Sequence, residues 1–129
     1  MGKIREARHP LEYVAFLDLQ MNTKEGPAFL FFAIDAFTGH AFNLGVEQEL
    51  NQDTILKHIY FLCEHPEFVE VNSSGFTLVL EYDDQLSENI AAIIKPENGK
   101  VLFDKTFHNF ITNPFLAEMN QYLRAGLNN

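Results

Sequence analysis

The chain has 129 residues, of which 47% are apolar and 13% aromatic, with thirteen Phe and no Trp. This length fits one domain, and the apolar content excludes a disordered chain. No apolar run is long enough to cross a membrane. A net charge of −9 argues against non-specific binding of nucleic acid, which depends on Lys and Arg. We predict a single domain over residues 1–129, with residues 1–11 as an N-terminal extension.

Cysteine content and the amino terminus indicate the compartment. Cys63 is the only cysteine and lies in an apolar helical pattern, so an intramolecular disulfide and a cysteine zinc cluster are both excluded. The first ten residues are polar and lack the apolar run of a signal peptide. The sequence therefore predicts a cytoplasmic protein.

Three strands are predicted in the first third of the chain. Residues 12–20 have strand character with one acid, Asp18, inside the strand, and residues 28–34 are a continuous apolar run typical of a buried central strand. Residues 40–47 alternate between apolar and other side chains, which predicts a strand with one buried face. Asp35 is predicted to hold the turn between the second and third strands.

The middle of the chain changes to a helical period. Residues 51–65 carry apolar side chains at helical spacing, with Asn51 or Asp53 as N-cap and Pro66 as the stop. Residues 76–81 then have the composition of a fourth strand.

Two helices and one strand are predicted in the remainder. A short helix starts at Ser87 and ends before Pro96, and residues 100–107 form the fifth strand. Asn113 and Pro114 open the last helix as N-cap and first turn, and Gly126 follows its end. The order β-β-β-α-β-α-β-α predicts an α/β domain with a five-stranded mixed sheet flanked by helices.

Several acidic residues lie at positions in the predicted strands and helices where an acid is not expected for structural reasons. Asp18 lies inside an apolar strand, Asp83 and Asp84 follow the fourth strand, and Glu118 lies on the border of the apolar stripe of the last helix. If the first and fourth strands are neighbours, Asp18, Asp83 and Glu118 converge, and their charges then require a cation. Oxygen ligands select Mg²⁺ or Mn²⁺, and two such ions suit in-line phosphoryl transfer. His108, after the fifth strand, is the histidine that could approach this cluster.

Four segments resemble the catalytic core of retroviral integrases and DDE transposases, within the ribonuclease H-like superfamily. They are the strand FLD at 16–18, the hairpin segment FFAIDAFT at 31–38, LEYDDQ at 80–85 and the final helix NPFLAEMNQYLR at 113–124. The spacing between the second and third acids, residues 84–117, is also similar to that of the family. Together these segments extend over residues 12–124.

The resemblance implies a ribonuclease H-like fold and a magnesium-dependent or manganese-dependent site formed by Asp18, Asp83 and Glu118. It implies cleavage of DNA phosphodiesters or strand transfer, as in the integration and recombination of mobile elements. Because the chain is acidic, DNA would be bound through an oligomer such as a homodimer, or through a separate DNA-binding subunit.

Three points stay open from the sequence. Family members follow the second acid with Asn or Gln and then Gly, whereas Asp83 is followed by Asp84, Gln85 and Leu86, so either Asp83 or Asp84 is the second acid. The lost glycine and the negative charge are also compatible with a catalytically inactive relative that acts as a protein-interaction module. The chain can equally be a fragment of a longer transposase.

Overall fold

A β meander forms the first half of the sheet. It consists of β1 (Tyr13–Thr23), β2 (Gly26–Asp35) and β3 (Ala41–Glu47), with β2 antiparallel to both β1 and β3. The structure is a computed structural model that describes residues 7–72, 74–81 and 84–127. Lys24 and Glu25 form the tight turn between the first two strands. The three predicted strands are confirmed, and the first two are slightly longer than predicted.

Two parallel strands complete the sheet. These are β4 (Phe76–Leu80) and β5 (Gly99–Phe103), and the order across the sheet is β3-β2-β1-β4-β5. β4 pairs in parallel with β1 from Tyr13 to Ala15, so the first and fourth strands are neighbours.

Helices cover both faces of this sheet. On one face lie α1 (Gln52–Glu64), α2 (Pro66–Val71) and α3 (Ser87–Ile94), and on the other lies α4 (Lys105–Leu127). This five-stranded mixed sheet between helices agrees with the predicted fold class and is consistent with a ribonuclease H-like fold. Within the described segments, no helix combines the length and the apolar character needed to span a bilayer.

The two faces of β1 belong to two separate parts of the core. Val14 and Phe16 pack with residues of α1 and α3, whereas Ala15 and Leu17 pack with α4. All four side chains are at most 4% exposed. A strand buried on both faces explains the nearly continuous apolar sequence of β1.

The structure decides between the two N-caps that the sequence left open for the first helix, Asn51 and Asp53. Asn51 is the N-cap of α1, and its side chain accepts a hydrogen bond from the backbone N–H of Thr54, whose hydroxyl in turn accepts one from the backbone N–H of Asn51. Pro66 does end α1, but it also starts α2, which the sequence analysis missed. Proline is favoured in the first turn of a helix, since its missing N–H would have no helical partner there.

The last helix begins earlier than predicted. β5 ends at Phe103 instead of residue 107, because the Asp104 carboxylate accepts a hydrogen bond from the backbone N–H of Phe107 and so caps a helix. Pro114 therefore lies inside α4 and does not open it, and Gly126 is helical instead of following the helix end. The apolar residues after β5 face the sheet from a helix and not from a strand.

The start of α3 also differs from the prediction. Ser87 is the first residue of this helix and not its N-cap, because a 3₁₀ turn over residues 84–86 precedes it. Leu86 is the N-cap and has no side-chain hydrogen bond.

A β-bulge changes which side chains of β3 are buried. Phe31 pairs with Gly45 and Phe32 with Asn43, so one residue of β3 is left over between them. Gly45 has a φ of +139°, and a Cβ atom here would lie 2.9 Å from Cε1 of His58. Beyond the bulge the predicted alternation fails, and Val46 is 60% exposed.

Glu47→Gln should lower the melting temperature near neutral pH, and its difference from the wild type should shrink in acid. The Glu47 carboxylate accepts hydrogen bonds from Lys57 Nζ at 2.7 Å and His58 Nε2 at 2.8 Å, and these bonds, that of Lys57 first, hold its pKa below the ordinary value of 4.5. A lowered folded-state pKa contributes stability that is present above the unfolded pKa and lost as pH falls through the folded pKa.

Thermal melts of both proteins between about pH 7 and about pH 3 measure this difference. Glu70→Gln on α2 is the matched control, since Glu70 is an exposed acid remote in sequence from this group. A Glu47→Gln difference that stays constant across the acid range would contradict the assignment.

Candidate functional site

A crevice is expected where β1 and β4 end, because the chain leaves these parallel neighbours toward opposite edges of the sheet. β1 continues into β2 on one side, and β4 continues through α3 into β5 on the other. In open α/β sheets, ligands bind at such points, outside the carboxyl ends of the strands. The pairing of β1 with β4 stops at Ala15 and Val79, so Asp18 lies beyond the last pair.

Asp18 lies on the α1 face of the sheet. It is directly opposite Phe31 in the antiparallel register of β1 and β2, and it follows Val14 and Phe16 in the alternation of the strand. Phe31 belongs to the core part formed with α1 and stacks on the ring of His58 at 4.3 Å between centroids. Asp18 itself is half-buried.

Glu118 lies on the other side of the sheet, in α4. Its exposed side chain lines a cavity of about 680 Å³ between α4 and the turn that joins β2 to β3. Asp35 and Phe37 line the same cavity. Since Asp35 pairs with Val14 and Phe31 with Asp18, this end of β2 is four residues, or about 13 Å, along the strand from Asp18.

The structure therefore does not bring Asp18 and Glu118 to one face of the sheet. Asp83 lies outside the described residues, and of Asp84 the backbone is described, in the 3₁₀ turn after β4. Among the described residues, no group of three His, Cys, Asp or Glu side chains is arranged to hold a metal ion. The three-acid site with Mg²⁺ or Mn²⁺ remains a prediction.

His108 is a buried side chain of α4 that contacts the central strand. Its Nε2–H donates a hydrogen bond of 2.7 Å to the backbone carbonyl of Phe16, one residue beyond the last pair between β1 and β4. The side chain is 2% exposed, and Nδ1 has no hydrogen-bond partner. This contact attaches the first turns of α4 to the central strand.

Asp35 holds the hairpin turn, as predicted. Its Oδ1 accepts hydrogen bonds from the backbone N–H groups of Leu11 at 3.1 Å and Phe37 at 3.0 Å, and its Oδ2 accepts one from the hydroxyl of Thr38 at 2.9 Å. Leu11, which the sequence analysis assigned to the N-terminal extension, is 1% exposed and belongs to the core. One carboxylate thus connects the start of the described chain to the β2–β3 turn.

Cys63 is packed in the core, as the sequence predicts. Burial, with smaller contributions from the nearby charges of Glu97 and Glu64, raises the pKa of its thiol to about 11. A thiol with this pKa is protonated near neutral pH, so Cys63 offers no nucleophile.

Comparison with known proteins gives a structural likeness without a sequence match. No family model and no curated protein matches the chain. A chain of the simian T-cell lymphotropic virus intasome, in complex with PP2A regulatory subunit B56 gamma, superposes with a TM-score of 0.68 over 99% of this chain, at 12% sequence identity. This chain covers 46% of that one. The likeness shows a shared fold, which agrees with the integrase resemblance of the sequence at the level of architecture.

The sequence analysis missed the cavity between α4 and the β2–β3 turn. Its α4 wall includes Phe107, Phe110 and Phe115. The sequence analysis placed Phe107 at the end of a strand, Phe115 in a later helix and Phe110 in the segment between them. Once residues 105–127 form one helix, side chains three, four and seven residues apart fall on one side of it. The signal that could have revealed the continuous helix was Asp104, an N-cap residue three positions before Phe107.

Proposed function

We propose that this chain is an integrase-like domain that acts as a protein-interaction module and not as an autonomous nuclease. The observation that carries this proposal is the position of Glu118. The acid that the family motif would assign to the metal lines a cavity on the α4 side, whereas Asp18 lies on the α1 face. Carboxylates on opposite faces of a sheet cannot share one cation, because Mg²⁺ requires its ligands at 2.0–2.1 Å.

The charge of the chain supports the same proposal. A net charge of −9 opposes the approach of a phosphate backbone, whose binding draws on Lys and Arg. The structure that this chain resembles is itself a complex with a regulatory protein subunit, so binding of a protein partner is compatible with the fold.

The catalytic core is the second candidate, and the adjacency of β1 and β4 favours it. Asp18 lies beyond the last pair of these strands, and Asp83 and Asp84 come shortly after β4 in the sequence. Two or three carboxylates there would bind Mg²⁺ or Mn²⁺ and activate a water molecule or a DNA 3′-hydroxyl.

A calorimetric titration with Mn²⁺ separates the two candidates. For a module without a metal site, we expect no saturable binding up to millimolar Mn²⁺, for the wild type and for Asp18→Asn alike. The titration is repeated in the presence of a short DNA duplex, because DNA phosphates can complete a weak metal site. Glu70→Gln on α2 controls for the loss of one surface acid.

Saturable binding that is lost in Asp18→Asn but kept in Glu70→Gln would overturn the proposal, and it would make a DNA-cleavage assay the next experiment. Loss of this binding in Glu118→Gln as well would add Glu118 to the site.

A further inference from the structure

The cavity beside α4 has an exposed aromatic rim. Phe110 of α4 is 59% exposed and Phe37 of the β2–β3 turn is 50% exposed, and both line the cavity with Pro114 and Phe115. Its volume of about 680 Å³ lies within the range of ligand pockets, roughly 300–1,000 Å³. Large exposed aromatic side chains around a concave surface indicate a site of interaction.

The described residues of the cavity wall carry only negative charge. Asp35 and Glu118 are the charged side chains among the described residues that line it, and both are acids. Asp35 is 2% exposed and already accepts three hydrogen bonds. Glu118 is exposed and forms no ion pair within the described part of the chain. Glu118 is thus available to a cationic group, and a phosphate at the same place would be repelled.

Pro114 interrupts the hydrogen bonding of α4 at this wall. Proline has no N–H, so the carbonyl of Phe110, four residues earlier, lacks its usual helical donor. Both residues line the cavity.

We propose that this cavity binds a short segment of another protein that carries an aromatic or aliphatic anchor next to Lys or Arg. The anchor packs between Phe37 and Phe110, and the cation pairs with Glu118. This inference rests on the proposed function and specifies its partner. The acidity of the wall and of the whole chain favours a basic peptide over a nucleic acid.

The test is a selection of random dodecapeptides displayed on phage against the immobilised wild-type chain. We expect enriched peptides to combine an apolar residue with Lys or Arg a few positions away. Phe110→Ser should weaken binding of the best synthetic peptide by about tenfold or more in fluorescence anisotropy, as for the truncation of an aromatic anchor. Val69→Ser is the matched control, because Val69 is 51% exposed on α2, on the other face of the sheet.

A charge reversal tests the role of Glu118. A selection repeated on Glu118→Lys should enrich peptides with Asp or Glu in place of Lys or Arg, whereas Glu70→Lys should retain the wild-type preference. Enriched peptides without basic residues, equal binding to all variants, or no enrichment would each overturn the inference. A dimer in analytical ultracentrifugation that Phe110→Ser converts to a monomer would overturn it too, since a second copy would then fill the cavity.

These outcomes are distinct from those of the metal titration. Saturable Mn²⁺ binding that depends on Asp18 overturns the proposed function. A failed selection together with absent Mn²⁺ binding leaves the proposed function intact and removes the cavity as the docking site.

Discussion

Asp35→Ala should destabilise the protein by about 2–4 kcal/mol, because it removes three hydrogen bonds from a buried carboxylate. Two of the donors are backbone N–H groups, of Leu11 and Phe37, and the third is the hydroxyl of Thr38. The N–H of Leu11 is buried, so water cannot replace its lost partner without opening the structure. Leu11 also has a φ of 63°, an unfavourable conformation for a side chain with a Cβ atom, and Asp35 helps to hold it there.

Equilibrium urea denaturation measures this loss, with Asp35→Asn as the matched control. Asparagine keeps one acceptor oxygen for the two backbone N–H groups and loses the second oxygen, so we expect about half of the destabilisation. The wall of the cavity beside α4 includes Asp35, and peptide binding should therefore weaken in parallel with stability. An alanine variant as stable as the wild type would show that the turn and residues 7–12 do not depend on this carboxylate.

His108→Leu should cost about 2–4 kcal/mol and should loosen α4 specifically. The imidazole is 2% exposed, and its Nε2–H bonds to the Phe16 carbonyl at 2.7 Å. Leucine fills most of the volume but leaves that buried carbonyl without its donor. Because this bond joins α4 to the central strand, its loss should affect the helix more than the rest of the sheet.

Amide hydrogen exchange distinguishes local from global effects of this substitution. Amides of residues 108–116 should exchange faster in His108→Leu under native conditions, while those of α1 should change only with global stability. His108→Gln retains an N–H donor and should recover part of both losses. Uniformly faster exchange in α1 and α4, or no recovery in His108→Gln, would show that the hydrogen bond is not what holds the helix.

The succession of strands along the chain could be predicted because apolar runs and turn residues identify each strand locally. The residues from 28 to 34 are apolar without interruption, which is typical of a strand buried on both faces, and β2 is such a strand. Asn51 fixed the start of α1 for a similarly local reason, since the capping box involves only neighbouring residues.

Other boundaries depend on contacts that the sequence does not display. The residues after β5 are compatible with a strand or a helix, and the choice is made by Asp104 and by packing against β1 and β2. Pro114 was interpreted as a helix start, although an interior proline is tolerated when tertiary packing outweighs one lost hydrogen bond. In β3, His58 lies against Gly45 beside the bulge, a contact between distant residues that no local pattern reveals.

The candidate site was predictable only in part. The sequence identified Asp18 and Glu118 as acids in unusual positions, and the structure confirms that β1 and β4 are neighbours. The face on which each acid lies follows from the exact register of β1 with β2 and from the start of α4. A shift of one residue in a strand transfers a side chain to the opposite face. Predicted boundaries are not accurate enough to settle that choice.

The sheet order has a consequence for how fast the chain reaches its native state. β1 meets β2 across a two-residue turn, and such hairpins close in about 1–10 μs. β4 also pairs with β1, but β2, β3, α1 and α2 lie between these two strands in the sequence. Contacts between residues so far apart in the sequence slow folding. Until β4 arrives, the central strand presents an unpaired apolar edge to other chains. Aggregation during refolding should therefore rise steeply with protein concentration. A peptide with the sequence of β4, added at the start of refolding, should compete for the free edge of β1 and slow the recovery of native protein.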